Sequence, residues 1–180
     1  MVTRAVFFDR DGVINKLVQH GDQLTAPWTV DEFVFLPNVR EAFNIVVRNN
    51  YIPFIVTNQP DVYDNKMAVT ELENINTILY NALPVKEIVC AKLRGSTWYK
   101  PNNGMIEYLI SKYQIDRLNS FLIGDRDKDI DCGKRSKIQT ILVSDHSTSD
   151  LKPDYIVRDC LDGCKLIERL NNDVAIHRYC

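Results

Sequence analysis

Arg4-Ala5-Val6-Phe7-Phe8-Asp9-Arg10-Asp11-Gly12 opens the chain almost at once, and its reading decides the rest. The apolar run is too short for a helix and does not alternate with polar residues. It stops abruptly at Asp-Arg-Asp-Gly. That is the pattern of a strand buried on both faces, the kind found in parallel sheets. Working outward, the same pattern recurs. Residues 51–57 form an apolar run ending in Asn58-Gln59-Pro60, residues 87–91 form a third, and residues 119–123 a fourth that ends in Gly124-Asp125. Residues 139–143 and 154–157 read as fifth and sixth strands. Between them, apolar residues fall at helical spacing: Val39, Phe43, Val46 and Val47 in 38–49, and Met67, Leu72, Ile75, Ile78 and Leu79 in 65–83. Further helices are expected at 103–113, 127–136 and from about 158 to Leu170. Strands separated by helices predict an α/β fold, a Rossmann-like three-layer α/β/α arrangement with a mainly parallel central sheet.

Two stretches break the alternation. Residues 16–35 hold Gly21, Pro27 and Trp28 and suggest a flap or hairpin; residues 92–99 form a short polar loop with Gly95, Ser96 and Trp98. Neither approaches the roughly 50 residues that a domain needs, so no large cap domain is expected. The chain reads as one domain over 1–180, with 170–180 as a peripheral tail.

Composition excludes several classes. Over 180 residues, 22 Lys+Arg stand against 24 Asp+Glu, a net charge of −2, with 45% hydrophobic and 26% charged residues. Disorder and collagen-like architectures do not fit these values. The near-zero charge and the lack of a basic stretch leave no electrostatic footprint for nucleic acid. No apolar run approaches the roughly 20 residues needed to span a bilayer, and no signal-peptide core is present. The five cysteines, Cys90, Cys132, Cys160, Cys164 and Cys180, include no CxxC pair and fit free thiols in a reducing compartment. A cytoplasmic protein, monomeric or weakly dimeric, is expected, with no membrane partner.

Polar residues at the strand ends carry the chemistry. Asp9 and Asp11 follow the first strand, Thr57 and Asn58 the second, Lys100 the third and its loop, and Asp125 and Asp129 the fourth. Each alone is an ordinary turn or helix-cap residue. In a parallel sheet, however, all of these ends open onto one edge, where ligands bind. Crowded carboxylates repel one another, and a hard cation such as Mg²⁺ relieves that while coordinating phosphate oxygens. The set describes a phosphate-processing site.

With these motifs quoted, a resemblance can be stated. Phe8-Asp9-Arg10-Asp11-Gly12-Val13-Ile14-Asn15 resembles the first motif of the haloacid dehalogenase superfamily of phosphatases, in the branch of heptose 1,7-bisphosphate and histidinol-phosphate phosphatases. Val56-Thr57-Asn58-Gln59 is similar to the second motif, Lys100-Pro101 with Gly104-Met105 to the third, and Ile123-Gly124-Asp125 with Asp129 to the fourth. The resemblance implies that Asp9 is the nucleophile, forming an aspartyl-phosphate, and Asp11 the general acid and then base. It implies Mg²⁺ on Asp9, Asp125 and the Asp11 main-chain carbonyl. Thr57, Asn58 and Lys100 would bind the phosphoryl group, with Asn15 and Gln59 among the substrate-binding residues. Asp129 is expected to orient Lys100 or a metal-bound water.

The chain departs from the branch in two places. The zinc-binding loop of the heptose enzymes, with its Cys-x-His and Cys-x-Cys elements, is matched here only at Cys90, so no zinc is expected. Trp98 and Tyr99 are expected to anchor the loop by burial instead. The arginine that precedes the lysine of the third motif is Tyr99 here, and Pro60-Asp61-Val62-Tyr63 replaces the small-residue segment after Gln59. Arg94, Lys92 or Lys66 can stand in for the lost arginine, and Arg94 is taken as a substrate-binding residue. The expected activity is Mg²⁺-dependent hydrolysis of a sugar phosphate, with D-glycero-D-manno-heptose 1,7-bisphosphate first. Alternatives are histidinol phosphate, a polynucleotide 3′-phosphate, or an inactive scaffold.

Overall fold

The computed structural model describes residues 3–144 and 152–177. Six parallel strands form the central sheet: β1 (Arg4–Phe8), β4 (Tyr51–Asn58), β5 (Glu87–Ala91), β6 (Phe121–Gly124), β7 (Gln139–Val143) and β8 (Tyr155–Val157), in the order β5-β4-β1-β6-β7-β8. The opening run is therefore a central strand. Ala5 to Phe8 are all fully buried, as its unbroken apolar character required.

Alternate residues of β1 feed two cores. Val6 and Phe8 pack with Ile55, Ile123 and Ile141 beneath three helices, α1 (Val39–Arg48), α3 (Val69–Ala82) and α6 (Cys160–His177). Ala5 and Phe7 pack with Phe54, Val56 and Leu122 beneath α4 (Gly104–Tyr113) and α5 (Asp127–Arg135). Phe8 stacks on Phe43 of α1 at 4.3 Å, tying sheet to helix, and Phe7 on Phe54 of the neighbouring strand at 5.6 Å. This is the expected three-layer α/β/α arrangement with a parallel sheet.

The stretch after β1 is a hairpin, β2 (Val18–His20) paired antiparallel with β3 (Gln23–Thr25). It is pinned to the loop behind it. The His20 ring stacks on Trp28 at 3.6 Å and contacts Glu32 at 3.2 Å, and Glu32 accepts the Trp28 N–H at 2.7 Å.

Three expectations need correction. The single helix expected over 65–83 forms unbroken but starts only at Val69, as α3. A short α2 (Pro60–Tyr63) comes first, Asn65 takes a left-handed φ of 57°, and the Lys66 and Met67 amides fold back onto the Asp61 carbonyl before α3 starts. The helix ending expected at Leu170 lies further on, because α6 runs to His177. Asn171 accepts a hydrogen bond from Arg4 and donates one to Asn49, so the start of the expected peripheral tail is tied to the body; residues 178–180 lie outside the described residues. Finally, Trp98 does not anchor its loop by burial. It is 39% exposed and rests on the Tyr108 ring.

Candidate active site

The carboxyl edge of the sheet brings the strand-end residues together. Asp9 sits immediately beyond β1 and its N–H is held by the Ile123 carbonyl at 2.9 Å. Its Oδ1 accepts from Lys100 Nζ at 2.7 Å, and Lys100 also reaches Asp129 Oδ1 at 2.6 Å and the Val56 carbonyl at 2.8 Å. The ammonium thus donates to Asp9 and the Val56 carbonyl and is ion-paired with Asp129. Asp125 stands beside this pair. One oxygen each from Asp9, Asp125 and Asp129 lies within 4.8 Å of the others.

Two glycines make that crowding sterically feasible. A Cβ on Gly12, whose φ is 89°, would lie 2.2 Å from an Asp125 carboxylate oxygen, and one on Gly124 would lie 2.2 Å from the Asp129 Cβ. The glycine of the opening motif is therefore needed both for its left-handed backbone and for the close approach of Asp125. Asp129 is fixed further by the Arg126 N–H, which donates to its Oδ2 at 3.2 Å at the start of α5.

The electrostatics follow from three acids facing one ammonium. Burial would raise the Asp9 pKa, but the charges of Lys100 and Lys128 and the hydrogen bonds to Asp9 outweigh it, leaving Asp9 below the ordinary range. Burial, with the charges of Asp9 and Asp129, pushes Asp125 up to about 7. Burial also raises Asp129 despite its contact with Lys100. For Lys100, burial is outweighed by Asp129 and Asp9, and its pKa rises, so it stays charged. Asp125 Oδ1 is buried and has no protein hydrogen-bond partner. An acidic trio with surplus negative charge and one unpartnered buried oxygen fits a divalent cation with oxygen ligands.

The Asp11 carboxylate is not part of that trio. Its Oδ1 accepts from Arg10 Nε and Nη2 at 3.1 and 3.0 Å and from Asn15 Nδ2 at 3.0 Å. Its Oδ2 accepts from Gln59 Nε2 at 2.6 Å and Thr57 Oγ1 at 3.4 Å. Asn15 and Gln59, read from sequence as substrate-binding, are fully buried here and point at Asp11 instead. Asn58 is likewise turned inward: its amide donates to the Lys100 carbonyl and accepts the Lys100 N–H, both at 2.9 Å. It clamps the lysine's main chain rather than offering its side chain to a phosphoryl group.

A cleft of about 410 Å³ opens over Asp9 and Asp11. Leu24 and Thr25 of the hairpin line one wall, and four cations, Lys66, Arg94, Arg126 and Lys128, stand around it. Arg94 donates to Tyr99 Oη at 3.2 Å and pairs with Asp64 at 2.8 Å. The tyrosine that replaces the branch's arginine thus holds another arginine at the cleft. Arg126 and Lys128 were not singled out from the sequence. The signal was their interleaving with Asp125 and Asp129, which brings them to the same strand end.

Comparison with known proteins agrees with this geometry. A HAD-hydrolase-like family model matches residues 97–162. D-glycero-alpha-D-manno-heptose-1,7-bisphosphate 7-phosphatase of Campylobacter jejuni is 26% identical over 149 residues, covering 79% of this chain and 83% of the relative. The beta-anomer 7-phosphatase of Pasteurella multocida is 27% identical, covering 94% and 99%. The crystal structure of a D,D-heptose 1,7-bisphosphate phosphatase from B. bronchiseptica, complexed with magnesium and phosphate, superposes with a TM-score of 0.78 at 18% identity, covering 93% of this chain and 99% of that one.

In motifs and fold the chain is similar to haloacid dehalogenase-like phosphatases. Among these it is similar to the heptose-1,7-bisphosphate 7-phosphatases, the branch its motifs resembled.

Proposed function

We propose that this phosphatase is a Mg²⁺-dependent phosphomonoesterase of a sugar bisphosphate, with D-glycero-D-manno-heptose 1,7-bisphosphate as the leading substrate. The carrying observation is Asp9: an ionised carboxylate paired with Lys100 at 2.7 Å, at the floor of a cleft ringed by further cations. Asp9 attacks phosphorus and forms an aspartyl-phosphate, which splits one hard displacement into two easier ones. Asp11 protonates the departing sugar oxygen and then takes a proton from the water that hydrolyses the intermediate. Lys100 and the Thr57 hydroxyl stabilise the phosphoryl charge where it develops. Asp9, Asp125 and the Asp11 main-chain carbonyl would hold Mg²⁺, which would supply charge shielding between the nucleophile and the anionic phosphate.

The rim supports a substrate with two anionic groups. Lys66, Arg94, Arg126 and Lys128 stand around the cleft, the first three paired with Asp61, Asp64 and Asp125, and a second anionic group can compete for these cations. Relatives acting on both heptose anomers are similar at nearly the same identity, so the anomer is left to experiment. We place the enzyme in the cytoplasm, where the free thiols Cys90, Cys132, Cys160 and Cys164 stay reduced. No helix among the described residues is long and apolar enough to cross a membrane.

Phosphate release with Mg²⁺ from both heptose bisphosphate anomers, histidinol phosphate and a 3′-phosphorylated oligonucleotide tests the reading. Fastest release from a heptose bisphosphate, reduced to background in Asp9→Asn, is expected. Faster release from histidinol phosphate or the oligonucleotide would reassign the substrate, and equal release by Asp9→Asn would remove the mechanism.

A further inference from the structure

Arg10 lies between the two aspartates in sequence, yet it is withdrawn from the cleft and is the largest fully buried side chain. A buried guanidinium is costly unless paired and hydrogen-bonded. Its carboxylate partner is Asp11, at 3.0 Å. Two of its nitrogens converge on one oxygen, Asp11 Oδ1, and Asn15 adds a third bond to that atom. The third guanidinium nitrogen, Nη1, is buried without a protein partner. The Arg10 main chain is held too, since its carbonyl accepts from the amides of Val13, Ile14 and Asn15 at 3.4, 2.8 and 3.2 Å. The two Asp11 oxygens are therefore unequal. Oδ1 is committed to a cation and an amide, whereas Oδ2 meets only the neutral Gln59 and Thr57.

The geometry points to Arg10 as a positioning residue: its two nitrogens on Oδ1 fix the rotamer of the Asp11 carboxylate beside Asp9. The inference rests on the reading of Asp11 as acid and base. In the first step the Asp9–phosphorus bond forms and the bond from phosphorus to the leaving oxygen breaks. The leaving oxygen keeps the electron pair and receives the proton of the Asp11 carboxyl group. In the second, water attacks phosphorus, one of its protons passes to the Asp11 carboxylate and the Asp9–phosphorus bond breaks. Arg10 touches no reacting atom. It acts by holding the carboxyl group in one rotamer over both steps, and positioned acid–base groups contribute roughly 10²–10⁴-fold.

Leaving-group dependence separates this role from a merely structural one. p-Nitrophenolate departs without a proton, whereas phenolate is a poorer leaving group and gains from one. kcat/KM covers only the steps up to aspartyl-phosphate formation. For Arg10→Met with Mg²⁺, kcat/KM for phenyl phosphate is expected to fall about 100-fold and that for p-nitrophenyl phosphate far less. Arg10→Lys keeps the charge but lacks the two-nitrogen fork. It protects against a Met variant that fails to fold, and it is expected to show the same split at smaller size. Asp11→Asn is the reference. If it shows no split, the acid–base reading of Asp11 fails. If it shows one while the Arg10 variants lose both substrates equally, the role assigned to Arg10 is overturned.

Discussion

Asp11 and Asp125 are both carboxylates on the same sheet edge, but they stand in opposite electrostatic settings. Asp11 neutralises a buried guanidinium, whereas Asp125 faces two other acids and has one oxygen without a protein partner. Their amide substitutions should therefore diverge in the metal-free protein. Asp11→Asn leaves the Arg10 charge buried and unpaired, a loss of about 3–5 kcal/mol, or roughly 10 °C in melting temperature. Asp125→Asn removes repulsion and should raise the melting temperature by a few degrees. Thermal melts in chelator check both; a stabilised Asp11→Asn would contradict the pairing. At this scale the sequence was legible in part. Asp9, Thr57, Lys100, Asp125 and Asp129 could be placed because strand ends in a parallel sheet share an edge. Spacing does not say which way a side chain points, so Asn15, Asn58 and Gln59 were read as facing substrate when they brace Asp11 and Lys100.

Contacts between elements carry two further predictions. Glu87, on β5, accepts hydrogen bonds from Lys112, Tyr113 and Tyr108 of α4 at 2.8, 2.8 and 3.1 Å. Burial alone would raise its pKa, but these bonds outweigh it and hold the carboxyl below its ordinary 4.5. The resulting stabilisation is complete above about pH 4.5 and disappears as pH falls through the lower folded-state value. Glu87→Gln should then cost about 1 kcal/mol at pH 7 and progressively less as the protein is acidified, read by denaturant titration at each pH. The β2–β3 hairpin is the second case. His20→Ala removes the stack on Trp28 and both polar contacts of the ring, which loosens a cleft wall without touching Asp9. A several-fold rise in KM with kcat nearly unchanged is expected for the sugar bisphosphate, the signature of lost uniform binding. The hairpin was legible from Gly21 in a polar stretch. The late start of α3 was not, because Asn65 in a left-handed conformation holds the chain out of the helix without a glycine or proline to announce it.

The whole molecule puts a buried central strand directly beneath a charged edge. With β1 between β4 and β6, strands from both sides bring carboxylates and Lys100 to one point, and the protein keeps Asp125 raised to about 7 rather than relaxing the cluster. A cation that binds only the folded chain stabilises it by mass action, about 2.7 kcal/mol at 100 times its Kd. Mg²⁺ should accordingly raise the melting temperature of the wild type in a concentration-dependent way, and Asp125→Asn should abolish that shift. An equal shift in both proteins would move the metal elsewhere.

The clamp between Asn58 and the Lys100 main chain carries one more consequence. The loop over 92–99 hangs between β5 at one end and that clamp at the other, so the lysine's main chain is held by Asn58 and not by the side chains of residues 92–95. Evolution can rewrite the intervening residues as an interchangeable cassette, trading one set of rim contacts for another, while the reaction centre beneath inherits its geometry unchanged.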